Sequence, residues 1–176
     1  MKKLVVYLTG SAHNDLERTR ALFIWEAANI EYDGSAFSVH DIPQLQPEEI
    51  FLRRKGVCVH YSVLFERLAT LAGLQAQTIV GKATGYPAAI LLNDTAHAWN
   101  AVRIDGAWYL LDVTWAAGSL DADFHFHRYP TVNTNYFLAE PATFVRSHLP
   151  DDPWWQLLDR PVSESEFLAI AASPAS

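Results

Sequence analysis

Apolar positions follow two rhythms along the chain. From Asp15 to Ile30, Leu16, Phe23, Ala27 and Ile30, with Leu22, Trp25 and Ala28, form a broad face at helical spacing. Asn14 followed by Glu17 has capping-box spacing and starts that helix. Gly34, Pro43 and Pro47 mark a loop, and Pro47-Glu48-Glu49 reads as the first turn of a short helix that Gly56 ends. A further helix begins at Val57 or Cys58 and runs to Ala72. Val63, Leu64, Leu68, Leu71 and Ala72 form its buried stripe, and Gly73 is its stop.

The rhythm then changes. Gln75 to Val80 has strand character, and Gly81 to Asn93, with Gly85 and Pro87, is partly looped. Ala96 to Val113 reads as a β-hairpin about Asp105-Gly106, a strong two-residue turn signal. Strands are also predicted over Phe124 to Tyr129 and at Tyr136-Phe137-Leu138, and Ser163 with Glu166 caps a last helix through Ile170. Helices first and antiparallel strands afterwards predict an α+β domain with the helices on one side of the sheet.

Composition bounds the function. At 176 residues, the chain supports one domain with a core. The reading divides it into a segment 1–12, a single domain over 13–170 and a tail 171–176. The net charge of −7 gives no basic patch for nucleic acid, and Arg53, Arg54 and Lys55 read as solvated surface. No stretch approaches the roughly 20 apolar residues of a membrane span. The apolar run in Met1 to Leu8 falls short of the ~7–15 residues of a signal peptide's apolar region. These features favour a soluble cytoplasmic protein, or a secreted or periplasmic one if a leader has been removed. The chain has one cysteine, so no intrachain disulfide forms.

That cysteine carries the candidate chemistry. A lone Cys is often a small apolar filler. Cys58, however, follows Gly56 and stands at a helix start, where unsatisfied N–H groups and the macrodipole favour a thiolate. The same N–H groups, the Cys58 amide among them, suit the oxyanion formed when a thiolate attacks a carbonyl. The hairpin supplies partners independently. With a two-residue turn, Ile104 pairs with Ala107, Trp99 lies opposite Asp112 and His97 opposite Thr114. His97 and Asp112 then share a face as diagonal neighbours, within reach of a hydrogen bond that orients the imidazole. Nucleophile, base and orienting carboxylate together are what thiol catalysis needs.

Three runs resemble the core of the transglutaminase-like superfamily. They are Arg54-Lys55-Gly56-Val57-Cys58-Val59-His60-Tyr61-Ser62-Val63-Leu64-Phe65, His97-Ala98-Trp99-Asn100-Ala101-Val102 and Trp108-Tyr109-Leu110-Leu111-Asp112-Val113-Thr114-Trp115. Arg18 to Asp33, Tyr136-Phe137-Leu138 with Pro141, Phe144 and His148, and Trp155-Gln156-Leu157-Leu158 resemble the branch that includes the kyphoscoliosis peptidase. The resemblance covers about residues 14 to 168. It implies a papain-like fold, with a Cys-bearing central helix packed on an antiparallel β-sheet. It also implies a Cys58, His97 and Asp112 triad, but assigns no second oxyanion donor.

The expected activity is cysteine-dependent acyl transfer on peptide or glutamine carboxamide carbonyls, through a thioester. The expected substrate is a protein or peptide, with a partner protein that opens the cleft as a further candidate. The alternative is a non-catalytic peptide-binding module that retains the cleft. Trp99, Tyr61 and Trp115 are candidate cleft residues; Trp99 is equally suited to core packing or to shielding the His–Asp hydrogen bond. No cofactor and no metal are expected: His125 and His127 share a strand face, but the sequence offers no evident third ligand. His60 reads as a surface or supporting residue, His148 as a structural hydrogen bonder, Trp25 as core, and Trp154-Trp155 as a core or edge cluster.

Overall fold

The computed structural model describes residues 1–85 and 95–171. Helix α1 (Lys2–Thr9) packs on α2 (Asp15–Asn29) and buries Val5. The Asn14 side chain accepts from the Glu17 amide at 2.8 Å, so α2 starts where its cap dictates. After α2 come β1 (Glu31–Tyr32), α3 (Gly34–Ser38), α4 (Pro47–Arg53) and β2 (Lys55–Gly56). β1 and β2 pair in parallel, which ties the end of α2 to the segment just ahead of Cys58.

Two expectations change here. Helix α4 ends at Arg54, which adopts a left-handed conformation at φ 58°, and not at Gly56. Nor is the basic trio simply solvated. The Arg54 guanidinium lies over the Trp25 and Phe51 rings, 4.7 and 4.5 Å from their centroids. Lys55 pairs with Glu31 and Asp33. Trp25 is only partly buried, stacked on Phe51.

Helix α5 (Cys58–Leu71) is central. Tyr61, Leu64, Phe65 and Leu68 sink one face into the main core, and Gly73, at φ 79°, closes the helix. The next strands are β3 (Gln75–Ala83), β4 (Ala96–Ile104) and β5 (Ala107–Leu111). With β8 (His148–Pro150) they form an antiparallel sheet in the order β5-β4-β3-β8. β3 runs three residues further than predicted, taking in Gly81 to Ala83, and the rest of the expected loop, 86–93, lies outside the described residues. Both faces of β4 are covered. Val102 and Ile104 join the α5 core, whereas Trp99 and Ala101 join a second cluster with Ile79, Leu110 and Phe144. This explains the nearly continuous burial from Ala98 to Val102.

The β4–β5 turn has Asp105 and Gly106 at φ 49° and 86°, positive at both central positions as a type I′ hairpin requires. The ladder follows the expected register from Ile104–Ala107 to Asn100–Leu111 and stops there. Asp112 and Thr114 do not continue it. Asp112 instead caps α6 (Val113–Ala117) by accepting from the Trp115 amide at 3.0 Å. The chain then forms a small hairpin of β6 (Gly118–Leu120) and β7 (Phe126–Arg128), the latter shorter than predicted. Tyr136 is not in a strand: Thr134–Tyr136 is a 3-10 turn capped by Asn133, and only Ala139 bridges back to β5. Short α7 (Pro141–Phe144) precedes β8. The Ser163–Glu166 pair starts α8 (Glu164–Ala171), and the tail from 172 lies outside the described residues. The α+β architecture, with a Cys-bearing helix on an antiparallel sheet, is as the sequence implied.

Candidate active site

Three elements supply the candidate residues, and the first two reach one cavity. Cys58 is the first residue of α5, His97 lies near the start of β4, and Asp112 sits between β5 and α6. The first intrahelical bonds of α5 run from the His60 and Tyr61 amides to Val57 O. The Cys58 and Val59 amides therefore precede the helical ladder and point with the positive end of its dipole. A cavity of about 320 Å3 opens beside the thiol, lined by Val57, Cys58, Val80, Gly81, His97 and Asp151 among others.

The helix start is fixed by His60, which takes the supporting rather than the surface one of the two roles the sequence offers. It is buried: its Nδ1 accepts from the Val57 amide at 3.0 Å and its Nε2–H donates to Pro43 O at 2.9 Å. Burial lowers its pKa and keeps it neutral, as these two bonds require. Gly56 leaves room for this ring. A Cβ there would stand 2.5 Å from the His60 Cβ.

His97 Nε2–H donates to Asp112 Oδ2 at 2.7 Å, leaving Nδ1 for the thiol. Burial alone would lower the pKa of His97. The adjacent Asp112 carboxylate, and then Cys58, overcome that penalty and raise it to about 10. Asp112 is fully buried, which by itself would raise its pKa. The His97 charge and the hydrogen bonds from His148 and His97 hold it well below the ordinary carboxylate range. The diagonal contact thus forms, but through a carboxylate that has left the strand.

A third imidazole completes the cluster. His148, from β8, donates through Nε2–H to Asp112 Oδ2 at 3.1 Å, and its Nδ1 lies 2.8 Å from Ser147 Oγ. Its part in the site was not visible in the sequence. The strand is three residues long and pairs with β3, far from it in the chain, so no local pattern announces it.

The cleft assignments need correction. Tyr61, Trp99 and Trp115 are buried, and none lines the cavity. The Tyr61 hydroxyl donates to Ile30 O at 2.7 Å and anchors α5. Trp99 and Trp115 pack against His97 and His148 as walls behind the imidazoles. Trp154 is exposed and meets Trp155 edge-on, while Trp155 packs on Trp108.

Among the described residues, two groups bring metal-capable donors together: His97, Asp112 and His148, and Asp121, Asp123 and His125 near the surface. In the first, the donors are already hydrogen-bonded to one another behind aromatic rings. The second joins His125 to two carboxylates and does not include His127. His127 donates to Asp121 at 2.7 Å, and the His125 imidazole stands 3.5 Å from the same carboxylate; the hydrogen bond from His127, then those from the His125 and Asp123 amides, hold it at a pKa of about 2.

The family model of the transglutaminase-like superfamily matches residues 2–113. The chain belongs to that superfamily. Human kyphoscoliosis peptidase is 39% identical over 173 residues, covering 95% of this chain and 26% of that protein. Hillarin from Drosophila melanogaster is 29% identical over 180 residues, covering 93% and 21%. The chain thus spans about a quarter of the length of the curated relatives it matches. A crystal structure from Cytophaga hutchinsonii, described as that of a candidate cysteine protease, superposes with a TM-score of 0.54 at 24% identity, over 64% of this chain and 36% of that one. It supports the papain-like fold. Among the described residues, no helix is long and apolar enough to cross a membrane.

Proposed function

We propose that this domain catalyses cysteine-dependent acyl transfer on peptide or glutamine carboxamide carbonyls. The observation that carries the reading is that Cys58 and His97 line one cavity, with the buried Asp112 hydrogen-bonded behind His97. His97 takes the Cys58 thiol proton, the thiolate attacks the carbonyl carbon, and the oxyanion is received by the amides that open α5. The Asp112 carboxylate and Cys58 raise the pKa of His97 against its burial, which favours its holding that proton. His97 delivers that proton to the departing nitrogen as the C–N bond breaks, leaving a thioester and a neutral imidazole. Water or an amine then attacks the thioester and gives a proton back to His97, and the thiolate leaves. Water yields hydrolysis and an amine yields transamidation. Asp112 holds the imidazole in the tautomer that faces the sulfur.

The test is mass spectrometry of a peptide library incubated with the protein, with and without a primary amine. The reading expects a covalent acyl adduct on Cys58 and cleaved, deamidated or amine-coupled products, all absent with Cys58→Ala. Products of equal yield from folded Cys58→Ala would overturn it. Peptide binding without any adduct would favour the non-catalytic module.

A further inference from the structure

The carboxylate of Asp112 serves more than His97. Oδ1 accepts from the Trp115 amide, and Oδ2 accepts from both His97 and His148. His148 is 1% exposed and enclosed by rings. Phe144 stacks on it at 4.0 Å and 15°, Trp115 lies at 4.5 Å, and Trp99 meets it edge-on at 5.1 Å. A ring needed only to fill this aromatic box could be a phenylalanine. A histidine there has a polar partner at each nitrogen.

Those partners fix its state. An ionised carboxylate only accepts, so Nε2 carries the hydrogen. Burial favours the neutral ring, and with its hydrogen on Nε2 the ring offers Nδ1 as an acceptor to the Ser147 hydroxyl at 2.8 Å, nearer than Phe144 O at 3.5 Å. Asp112 therefore sets the His148 tautomer, Ser147 holds the ring at its other nitrogen, and His148 in turn holds the carboxylate that orients the catalytic imidazole. β8 is held against β3 by pairs from Gly81–Pro150 to Ala83–His148, so the ring is carried on the same sheet as His97.

We infer that His148, oriented by Ser147, is a positioning residue that extends the Cys58, His97 and Asp112 site into a four-member relay of fixed donors and acceptors. The inference rests on the acyl-transfer reading for its activity readout and on geometry for its structural one. No proton passes through His148: its Nε2–H donates throughout the cycle, and its effect on Cys58 is indirect.

The experiment compares His148→Phe, which refills the aromatic box but donates nothing, with His148→Gln, whose side-chain Nε2 can donate from a similar position. Steady-state hydrolysis of p-nitrophenyl acetate is followed, with Cys58→Ala as the blank. The acetyl thioester formed on Cys58 is released by water that His97 deprotonates, so kcat reports the orientation of His97. His148→Phe should lose roughly 10- to 100-fold in kcat, the scale of a misplaced catalytic group, with KM within about twofold. His148→Gln should stay within about fivefold of the native kcat. Ser147→Ala, which leaves the ring in place, should fall between them.

A native kcat in His148→Phe would overturn the inference. So would equal losses in the Phe and Gln variants, because packing alone would then explain them. If His148→Phe does not fold, an unchanged kcat in Ser147→Ala overturns it. A proton NMR readout is independent of turnover. The His97 Nε2–H resonance, bonded to Asp112, should persist in His148→Gln and shift or broaden in His148→Phe. If the native protein shows no Cys58-dependent hydrolysis, the acyl-transfer reading fails, and the NMR comparison still decides whether His148 positions Asp112.

Discussion

Gly56→Ala perturbs the start of the Cys58 helix without touching the thiol. The added Cβ would stand 2.5 Å from the His60 Cβ, 2.9 Å from Nδ1 and 3.0 Å from Cγ. The first contact is with an atom fixed to the α5 backbone, so a rotamer change cannot relieve it. Overpacking of this kind costs about 1–3 kcal/mol. Displacing the ring also breaks the Val57 N–H to Nδ1 bond in a buried site, for about another 1–3 kcal/mol. A loss of about 2–5 kcal/mol is therefore expected, read as a lower urea midpoint by tryptophan fluorescence. His60→Gly in the same chain removes all three of these atoms. The double variant should be less destabilised than the sum of the single ones by at least about 1 kcal/mol. A Gly56→Ala protein as stable as the native one, or strict additivity with His60→Gly, would refute the reasoning.

Three further outcomes follow from buried charge. Glu26 is fully buried, neither carboxylate oxygen has a partner among the described residues, and burial raises its pKa well above the ordinary value. Its carboxyl is tolerated when protonated and increasingly destabilising as pH rises above about 4.3 toward its folded pKa, so Glu26→Met should stabilise by about 1–3 kcal/mol near neutrality and by less at pH 4, measured by thermal melts. Asp112→Ala should cost about 3–5 kcal/mol in urea unfolding, because two imidazoles and one amide lose their acceptor together. His97 binds its proton more tightly folded than unfolded. Its contribution is complete below about pH 6.5 and lost as pH rises through about 10, so native urea midpoints should decline across that window while those of His97→Gln do not.

The elements that could be read from the sequence have local causes. Asn14 and Glu17 place the start of α2, and Asp105-Gly106 fixes the hairpin register as far as Asn100–Leu111. Periodicity could not show where the strand stops. Val113-Thr114-Trp115 has strand composition, yet Asp112 captures the Trp115 amide and turns the chain into α6. The same competition is lost by Tyr136, which Asn133 draws into a 3-10 turn despite its aromatic neighbours. His60 was placed by helical phase on the side away from Cys58. What buries it is Pro43, brought over it by a loop with no periodic signal. His148 needed knowledge of a strand pairing between distant parts of the chain. The candidate site was thus legible where its geometry is local to one hairpin and one helix start, and illegible where tertiary folding supplies the partner.

Asp112 ends one strand, begins one helix and bonds two imidazoles. Its removal would damage folding and chemistry together. Cys58 is only partly buried, and Ala or Ser there would leave the packing nearly intact. A lineage drifting from catalysis toward pure binding would thus be expected to lose the sulfur first and retain the carboxylate. An intact Asp112 says little about activity in such relatives; the residue at the start of α5 says much more.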